Sequence, residues 1–368
     1  MISEGNGQHN TERKLLNWGF SFFVLVATLS FSSCTDEKSK VSVNPTLRYE
    51  IEGEAQGTTY HIVYFTDSLT VSKTVIDSIL DDVDDAASIW VKSSVISSVN
   101  QSQDSVMEIT DDQFGYFIDN FNLSKEVYHA TNGAYNPTVG ELVNAWGFGF
   151  KNRETMDSTI VDSLLQSVGF DDDQMWVTKE NGLQIHKSNP ATNLDFNGIA
   201  QGYSVDVLAN YFIDLGLPNF IIEVGGELTA HGTKPDGSLW KIGIDKPIDK
   251  NVERDLAAIL LLDNVGVATS GNYRKYYEEG GMRYAHTLDP STGFPVQHSL
   301  LSATLIMKDC GLADAYATSF MVMGFEKAKE LIEKHPELGI EAYLIYSDEN
   351  GEMKTYFSPG LDDMLEEL

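Results

Sequence analysis

Cysteine is nearly absent from this chain. Its 368 residues hold two, Cys34 and Cys310. A small fold stapled by several disulfides is therefore excluded. Basic residues are also scarce: 25 Lys and Arg stand against 55 Asp and Glu, a formal net charge of -30. Phosphate repels such a surface, so nucleic acid is not expected as the main partner. An anionic ligand would need local help from a metal or from backbone amides. The apolar run from Trp18 to Phe31 is shorter than the roughly 20 residues of a comfortable membrane span. No repeat, low-complexity stretch or long linker follows residue 46. What is present is globular composition, 42% hydrophobic and 22% charged, enough for one large core or two smaller ones.

The N-terminal segment reads as a targeting signal. Arg13 and Lys14 precede the apolar run, which ends in Ser32-Ser33-Cys34. That order resembles a bacterial lipoprotein signal, although the long leading region carries Glu4 and Glu12. Residues 1–33 are then the signal, Cys34 the lipidated first residue, 34–45 a polar tether and 46–368 the folded body. Cys310 is left without a partner and is expected to be a buried, inert thiol.

Beyond residue 46 the apolar periods alternate between strand and helix. Leu47–Ile51 and Tyr60–Phe65 read as a hairpin around a turn at Ala55–Thr59. Helical spacing covers 71–90, 112–130, 159–168, 198–215 and 312–335, the last as one or two helices. Strands are expected at 220–224, 240–244, 257–262, 265–269, 301–306, 342–346 and 354–357. The fold class is α/β in the broad sense, a mixed α+β body with mixed sheets flanked by helices and no point at which to cut it.

Five segments have the character of a site. The densest is Ala268–Val296, with Ser270-Gly271-Asn272, Arg274, His286, Asp289-Pro290 and Gly293. Glycine-rich turns let amides approach an anion, and a histidine moves protons near neutral pH. Another is the turn at Gln56–Tyr60. A third is Gly133–Gly140, which leads on to Trp146–Gly149. A fourth, Asp195–Tyr203, reads as a strand running into a helix with glycine at the junction, where N-terminal amides suit phosphate. The fifth is Ala313–Thr318. Asp314 and Thr318 stand one helical turn apart, and a carboxylate beside a hydroxyl suits a hard cation such as Mg²⁺. Each has an ordinary reading alone: a solvated helix face for Asp314–Thr318, a simple cap for Gly198, core packing for Trp146 and Phe148, a surface histidine for His286.

Taken in order, QGTTY, GAYNPTVGELVNAWGFG, LDFNGIAQGYSVD, IEVGGEL, VATSGNYRKYY, HTLDPSTGFPV and ADAYAT resemble the ApbE family, the FAD:protein FMN transferases. The resemblance runs from Thr46 to Glu367. It implies an Mg²⁺-dependent transferase that uses FAD, passes FMN to a Thr or Ser hydroxyl of an acceptor protein and releases AMP. It implies Asp314 and Thr318 as metal ligands, joined by a backbone oxygen near Gly198 or Ala200. Gln56, Trp90, Ala134, Tyr135, Asn136, Asp195, Gln201 and Leu288 would line the ligand pocket. His286 would be the general base, Asp289 would orient it or act through the metal, and Arg274 would steady negative charge. Asn136, Gln201 and Gln56 stand where the family often has Asp, Lys and Met. Two other outcomes stay open: FAD pyrophosphatase chemistry giving free FMN and AMP, and a non-catalytic flavin-binding lipoprotein. Membrane attachment through Cys34, facing the periplasm and more on the inner than the outer membrane, fits the same family. Its acceptors there are subunits of membrane redox complexes.

Overall fold

The computed structural model describes residues 46–148, 156–180, 182–248, 255–272, 276–279, 282–285 and 287–366. The targeting segment with Cys34, and both Arg274 and His286, lie outside the described residues.

The chain opens with a hairpin, β1 (Leu47–Ala55) and β2 (Thr58–Thr66), in which Ala55 faces Thr58. Its two loop residues, Gln56 and Gly57, both have positive φ, the conformation that matches strand twist in a two-residue turn. Next come α1 (Lys73–Ala87), α2 (Val95–Gln101), β3 (Val106–Glu108), α3 (Tyr116–Ala130), α4 (Gly140–Ala145), α5 (Ser158–Leu165), β4 (Met175–Thr178) and β5 (Gln184–Lys187). Helix α6 (Ala200–Asp214) leads to a second tight hairpin, β6 (Phe220–Val224) and β7 (Glu227–His231). Then follow β8 (Trp240–Asp245), β9 (Leu256–Leu262), β10 (Val265–Gly271), β11 (Tyr276–Glu279), β12 (Met282–Ala285) and β13 (Leu300–Met307). The chain closes with α7 (Cys310–Met323), α8 (Phe325–Lys334), β14 (Glu341–Ser347), β15 (Met353–Phe357) and β16 (Leu365–Glu366).

The centre is an eight-stranded sheet in the order β1-β2-β6-β7-β10-β13-β14-β15. All its pairings are antiparallel, as are those of the smaller sheets β16-β9-β8 and β3-β5-β4. Both faces of the large sheet carry apolar packing, while its edge strands β1 and β15 keep exposed polar positions. On one face Tyr60, Ile62, Tyr64, Phe220 and Ile222 pack with Ile76, Leu80 and Phe212 from α1 and α6. Further along that face Ala303, Leu305, Ala342 and Leu344 meet Ala313, Ala317 and Phe320 of α7. On the other face Ile306, Tyr343 and Ile345 pack against Trp240, Ile244, Leu260 and Leu262 of β8 and β9. Burial of each Leu, Ile or Phe among them stabilises the fold by about 1.5–3 kcal/mol.

The elements expected from apolar periodicity all form, and 312–335 divides into α7 and α8 at Gly324. One local expectation needs correcting. No strand runs into α6: β5 ends at Lys187, and the stretch before α6 is irregular chain. The short elements α2, α4, β3, β4, β5 and β7 go unread in the sequence. Each is too brief for a period to show, and β7 begins straight after Gly225-Gly226. Among the described residues no helix is long and apolar enough to cross a membrane.

Helix α1 carries a carboxyl whose ionisation the fold disfavours. Burial, then the neighbouring charges of Asp81 and Asp85, push the Asp84 carboxyl up to about 6. Its native pKa lies above the ordinary carboxylate value, so the folded state holds the proton more tightly. The penalty is absent at low pH and grows as pH rises through that value. Asp84→Asn should therefore raise stability by about 1–2 kcal/mol at pH 7.5, after allowance for partial exposure, and change little at pH 4. Denaturant melts at the two pH values check this; equal gains at both would refute it.

Candidate functional site

The site is built where α6 crosses α7. Gly202 sits at the crossing, where an added Cβ would stand 2.5 Å from the Cys310 carbonyl oxygen and 2.9 Å from the Asp314 Cβ. Glycine lets the helices close to the point where the Gly202 N–H donates to Asp314 Oδ2 at 3.3 Å. One turn further along α6, Asp206 accepts from the Cys310 and Gly311 amides, each at 2.8 Å. Those amides open α7 and have no partner within their own helix. Burial pushes the Asp206 carboxyl up to about 7, against the pull of the two amides. Cys310 itself is fully buried with its thiol pushed up by burial, as an inert thiol requires.

Asp314 is 6% exposed, which rules out the solvated helix face as its explanation. Thr318 follows one turn on, and its Oγ1 lies 3.2 Å from the point where a Gly198 Cβ would be. The Gly198 backbone therefore runs directly against the hydroxyl. Across the cavity stands Glu227, a residue the sequence reading left unassigned. Its Oε2 is buried with no hydrogen-bond partner among the described residues. Burial raises both carboxyls above the ordinary range, and the charge of Asp314 raises Glu227 further. Two buried carboxyls, a hydroxyl and nearby backbone oxygens make an all-oxygen set that fits a hard divalent cation.

Two connected chambers meet at this point. The first, about 460 Å³, is lined by Trp90, Ala134, Tyr135, Asn136, Asp195, Gly198, Gln201 and Leu288 among others. The second, about 830 Å³, is lined by Glu223, Glu227, Asp314 and the strand Lys241–Asp245, among others. Asn197, Gln201, Ser270, Gly271 and Thr318 border both. One chamber is rich in rings and aliphatic groups, the other in carboxylates, and Thr318 stands at the doorway.

The lining of the first chamber is held from behind. Tyr135 is buried, with its hydroxyl 3.3 Å from Ser124 Oγ and its ionisation pushed up by burial. Asn136 Oδ1 accepts from the Thr138 amide at 2.9 Å and hydroxyl at 2.6 Å, leaving its amide nitrogen as the part Thr138 does not engage. Asp195 Oδ1 accepts from Asn197 N at 2.8 Å, and burial raises that carboxyl. Trp90 is 61% exposed at the rim. Leu288 is buried with Leu142, Trp146 and Val161, and Trp146 Nε1 donates to the Gly293 carbonyl at 2.9 Å. Trp146 is thus core packing that also anchors the 289–293 turn.

Three expected residues fall outside both linings. Gln56 stands one layer back, its Oε1 3.1 Å from Ser204 Oγ; the single proton of that hydroxyl has the Gln201 carbonyl, at 2.7 Å, as its nearer acceptor. Ala200 is the first residue of α6, its amide bonded to the Phe196 carbonyl at 2.8 Å. Asp289 closes its own turn, Oδ1 accepting from Ser291 N at 2.8 Å and Oγ at 2.6 Å, and it lines a different cavity of about 530 Å³.

Two supports escaped the sequence reading altogether. Lys187 is 2% exposed, and its ammonium donates to the carbonyls of Val99, Ser102 and Pro190 at 2.8–3.1 Å. Asn100 bonds the Leu194 backbone on both sides, at 2.7 and 2.8 Å. Together they pin the irregular chain that delivers Asp195, Asn197 and Gly198. In the sequence each is an ordinary polar residue far from the site. Glu227 did offer a signal, since it lies in the Glu-Val-Gly-Gly-Glu turn.

These features define a class: an antiparallel sheet-and-helix body with a two-chambered cleft, one side with ring and aliphatic walls and the other rich in carboxylates. The particular family follows from comparison. The ApbE family model matches residues 56–344. A Haemophilus influenzae protein named FAD:protein FMN transferase is 35% identical over 333 residues, 88% of this chain and 91% of its own length. An Escherichia coli K12 protein of the same name is 30% identical over 349 residues, 93% and 96% of the two chains. The solved structure of flavin transferase ApbE from Vibrio cholerae matches with a TM-score of 0.75 at 31% identity, covering 87% of this chain and all of that one (100%). The chain belongs to the ApbE family.

The helix crossing gives a direct test of how the site is held. Gly202→Ala should lower stability by about 1–3 kcal/mol, because a methyl group has no room between α6 and α7. Thermal unfolding measures it; a Tm equal to the parent's would show that the helices can separate freely.

Proposed function

We propose that this protein is an FAD:protein FMN transferase that depends on Mg²⁺. A Thr or Ser hydroxyl of an acceptor protein attacks the phosphorus on the FMN side of the FAD pyrophosphate. A new P–O bond to the acceptor forms, the bridging P–O bond breaks, and AMP leaves with the electron pair. The observation that carries this reading is the junction of a chamber with ring and aliphatic walls and an oxygen-lined acidic one at Thr318, on a body of the ApbE family.

Each part of the chain has a task in this reading. Trp90, Tyr135 and Leu288 supply flat and apolar surface for a ring system. Asp314, Thr318 and the backbone at Gly198 and Ala200 are assigned as the Mg²⁺ ligands. Bound there, the cation neutralises pyrophosphate charge and polarises the phosphoryl group. In a chain of net charge -30 that neutralisation is a condition for binding the anion at all. His286 is assigned as the base that takes the acceptor's proton, and Arg274 as a cation for developing charge. Asp289, whose Oδ1 shapes the turn that follows His286, is assigned as the group that orients that histidine or acts through the metal. Lipidation at Cys34 would hold the enzyme at the periplasmic face of a membrane, beside acceptors that are themselves membrane proteins.

The test uses the chain from residue 35 onward with FAD, Mg²⁺ and candidate acceptor domains, following AMP and acceptor mass. AMP together with an acceptor heavier by one FMN supports transfer. AMP with free FMN, whichever acceptor is offered, points to a pyrophosphatase. Tight FAD retention without AMP sinks both enzymatic readings. Asp314→Ala should lower Mg²⁺-dependent AMP release by about 100-fold or more and should weaken Mg²⁺ binding in calorimetry. Undiminished turnover would refute the metal assignment.

A further inference from the structure

The second chamber has a wall that the chemistry above leaves unused. Residues Lys241, Ile242, Gly243, Ile244 and Asp245 all line it. They are the whole of β8 after Trp240, and among the described residues β8 is an edge strand, paired with β9 in the order β16-β9-β8. An edge strand presents a row of unpaired backbone groups, ready to pair with another extended chain.

The register says which groups face the chamber. The Leu261 amide donates to the Met364 carbonyl at 2.7 Å, so Leu261 turns its backbone groups toward β16 and away from β8. Lys241 is the partner of Leu261, and Gly243 is the partner of Ile259, two residues along. In an antiparallel ladder, residues opposite such positions turn their own N–H and C=O outward. Lys241 and Gly243 thus offer donor and acceptor pairs to the open side. Trp240, Ile242 and Ile244 point their side chains into the core below.

This edge lines the same cavity as Asp314 and Thr318. An extended segment lying in that cavity can pair with the edge and reach them. We infer that the acceptor protein docks here by adding a strand to the free edge of β8, and so delivers its hydroxyl to Thr318. The inference rests on the transferase reading. Backbone pairing supplies most of the affinity, and side chains beyond the hydroxyl residue add selectivity.

The probe is a pool of threonine-containing octapeptides, from which any peptide labelled with FMN is taken forward. Two measurements follow. An N-methyl scan of the labelled peptide should abolish labelling at alternate amides and spare those between, since only every second amide faces the edge. Lys241→Pro removes an outward N–H while leaving the bonds to β9. Its control, Lys241→Ala, shares the loss of the surface pair with Glu366. The proline variant should show a kcat/KM for the peptide at least tenfold below the alanine control, with FAD binding by flavin fluorescence equal in the two. An N-methyl scan without period two, or equal kcat/KM for the two variants, overturns strand addition and leaves the transferase intact. If AMP is released but neither peptide nor protein is ever labelled, the transferase reading itself fails, and this inference fails with it.

Discussion

The close crossing of α6 and α7 is the constraint on which the site depends. It exists because Gly202 and Gly311 let two helices touch backbone to backbone, a Gly311 Cβ standing 3.1 Å from Tyr203 Cα. The contact gives Asp314 a backbone donor and gives α7 a cap from Asp206, so the helix that carries both Asp314 and Thr318 starts at a defined point. The same α7 packs through Ala313, Ala317 and Phe320 on the large sheet. A shift of either helix would move the carboxyl, the hydroxyl and the Gly198 backbone together.

Charge sets the second constraint. The body is strongly acidic, and the larger chamber concentrates that acidity in Glu223, Glu227 and Asp314. Burial makes ionisation of Glu227 and Asp314 costly, and each makes the other's harder. Such a pair is poorly explained as scaffold, because a core gains more from apolar side chains. It is well explained as one half of an electrostatic fit, the other half being a cation that in turn tolerates an anion. The first chamber holds one such carboxyl, Asp195, beside ring and aliphatic walls from Tyr135, Leu288 and Met321.

Much of the fold was legible in the sequence where periods are long. Helices α1, α3, α6 and α7, and strands β6, β8, β9 and β10, fall within a few residues of where apolar spacing puts them. The misses are short or lack a period. Helix α2 spans Val95–Gln101, too few residues for an amphipathic pattern. Strand β7 hides behind Gly225-Gly226, which looks like the end of structure but is the tip of a hairpin. At the site, Asp314 and Thr318 could be paired by helical spacing. Asp289 Oδ1 closes a local Asx turn, a bond that spacing does not reveal. Lys187 and Asn100 act across distances that no local pattern encodes.

Residue order alone determined the fold class, the order of the elements, the acidic balance and the family, because these depend on composition, on periodicity and on motifs short enough to read in one pass. Only the tertiary structure decided that Asp314 is buried rather than solvated, that Glu227 stands across from it and that β8, the last strand of the small sheet among the described residues, lines the same cavity. Those facts depend on which surfaces meet. Burial and the desolvation it imposes belong to pairs of elements far apart in the chain, and no single stretch of residues carries them.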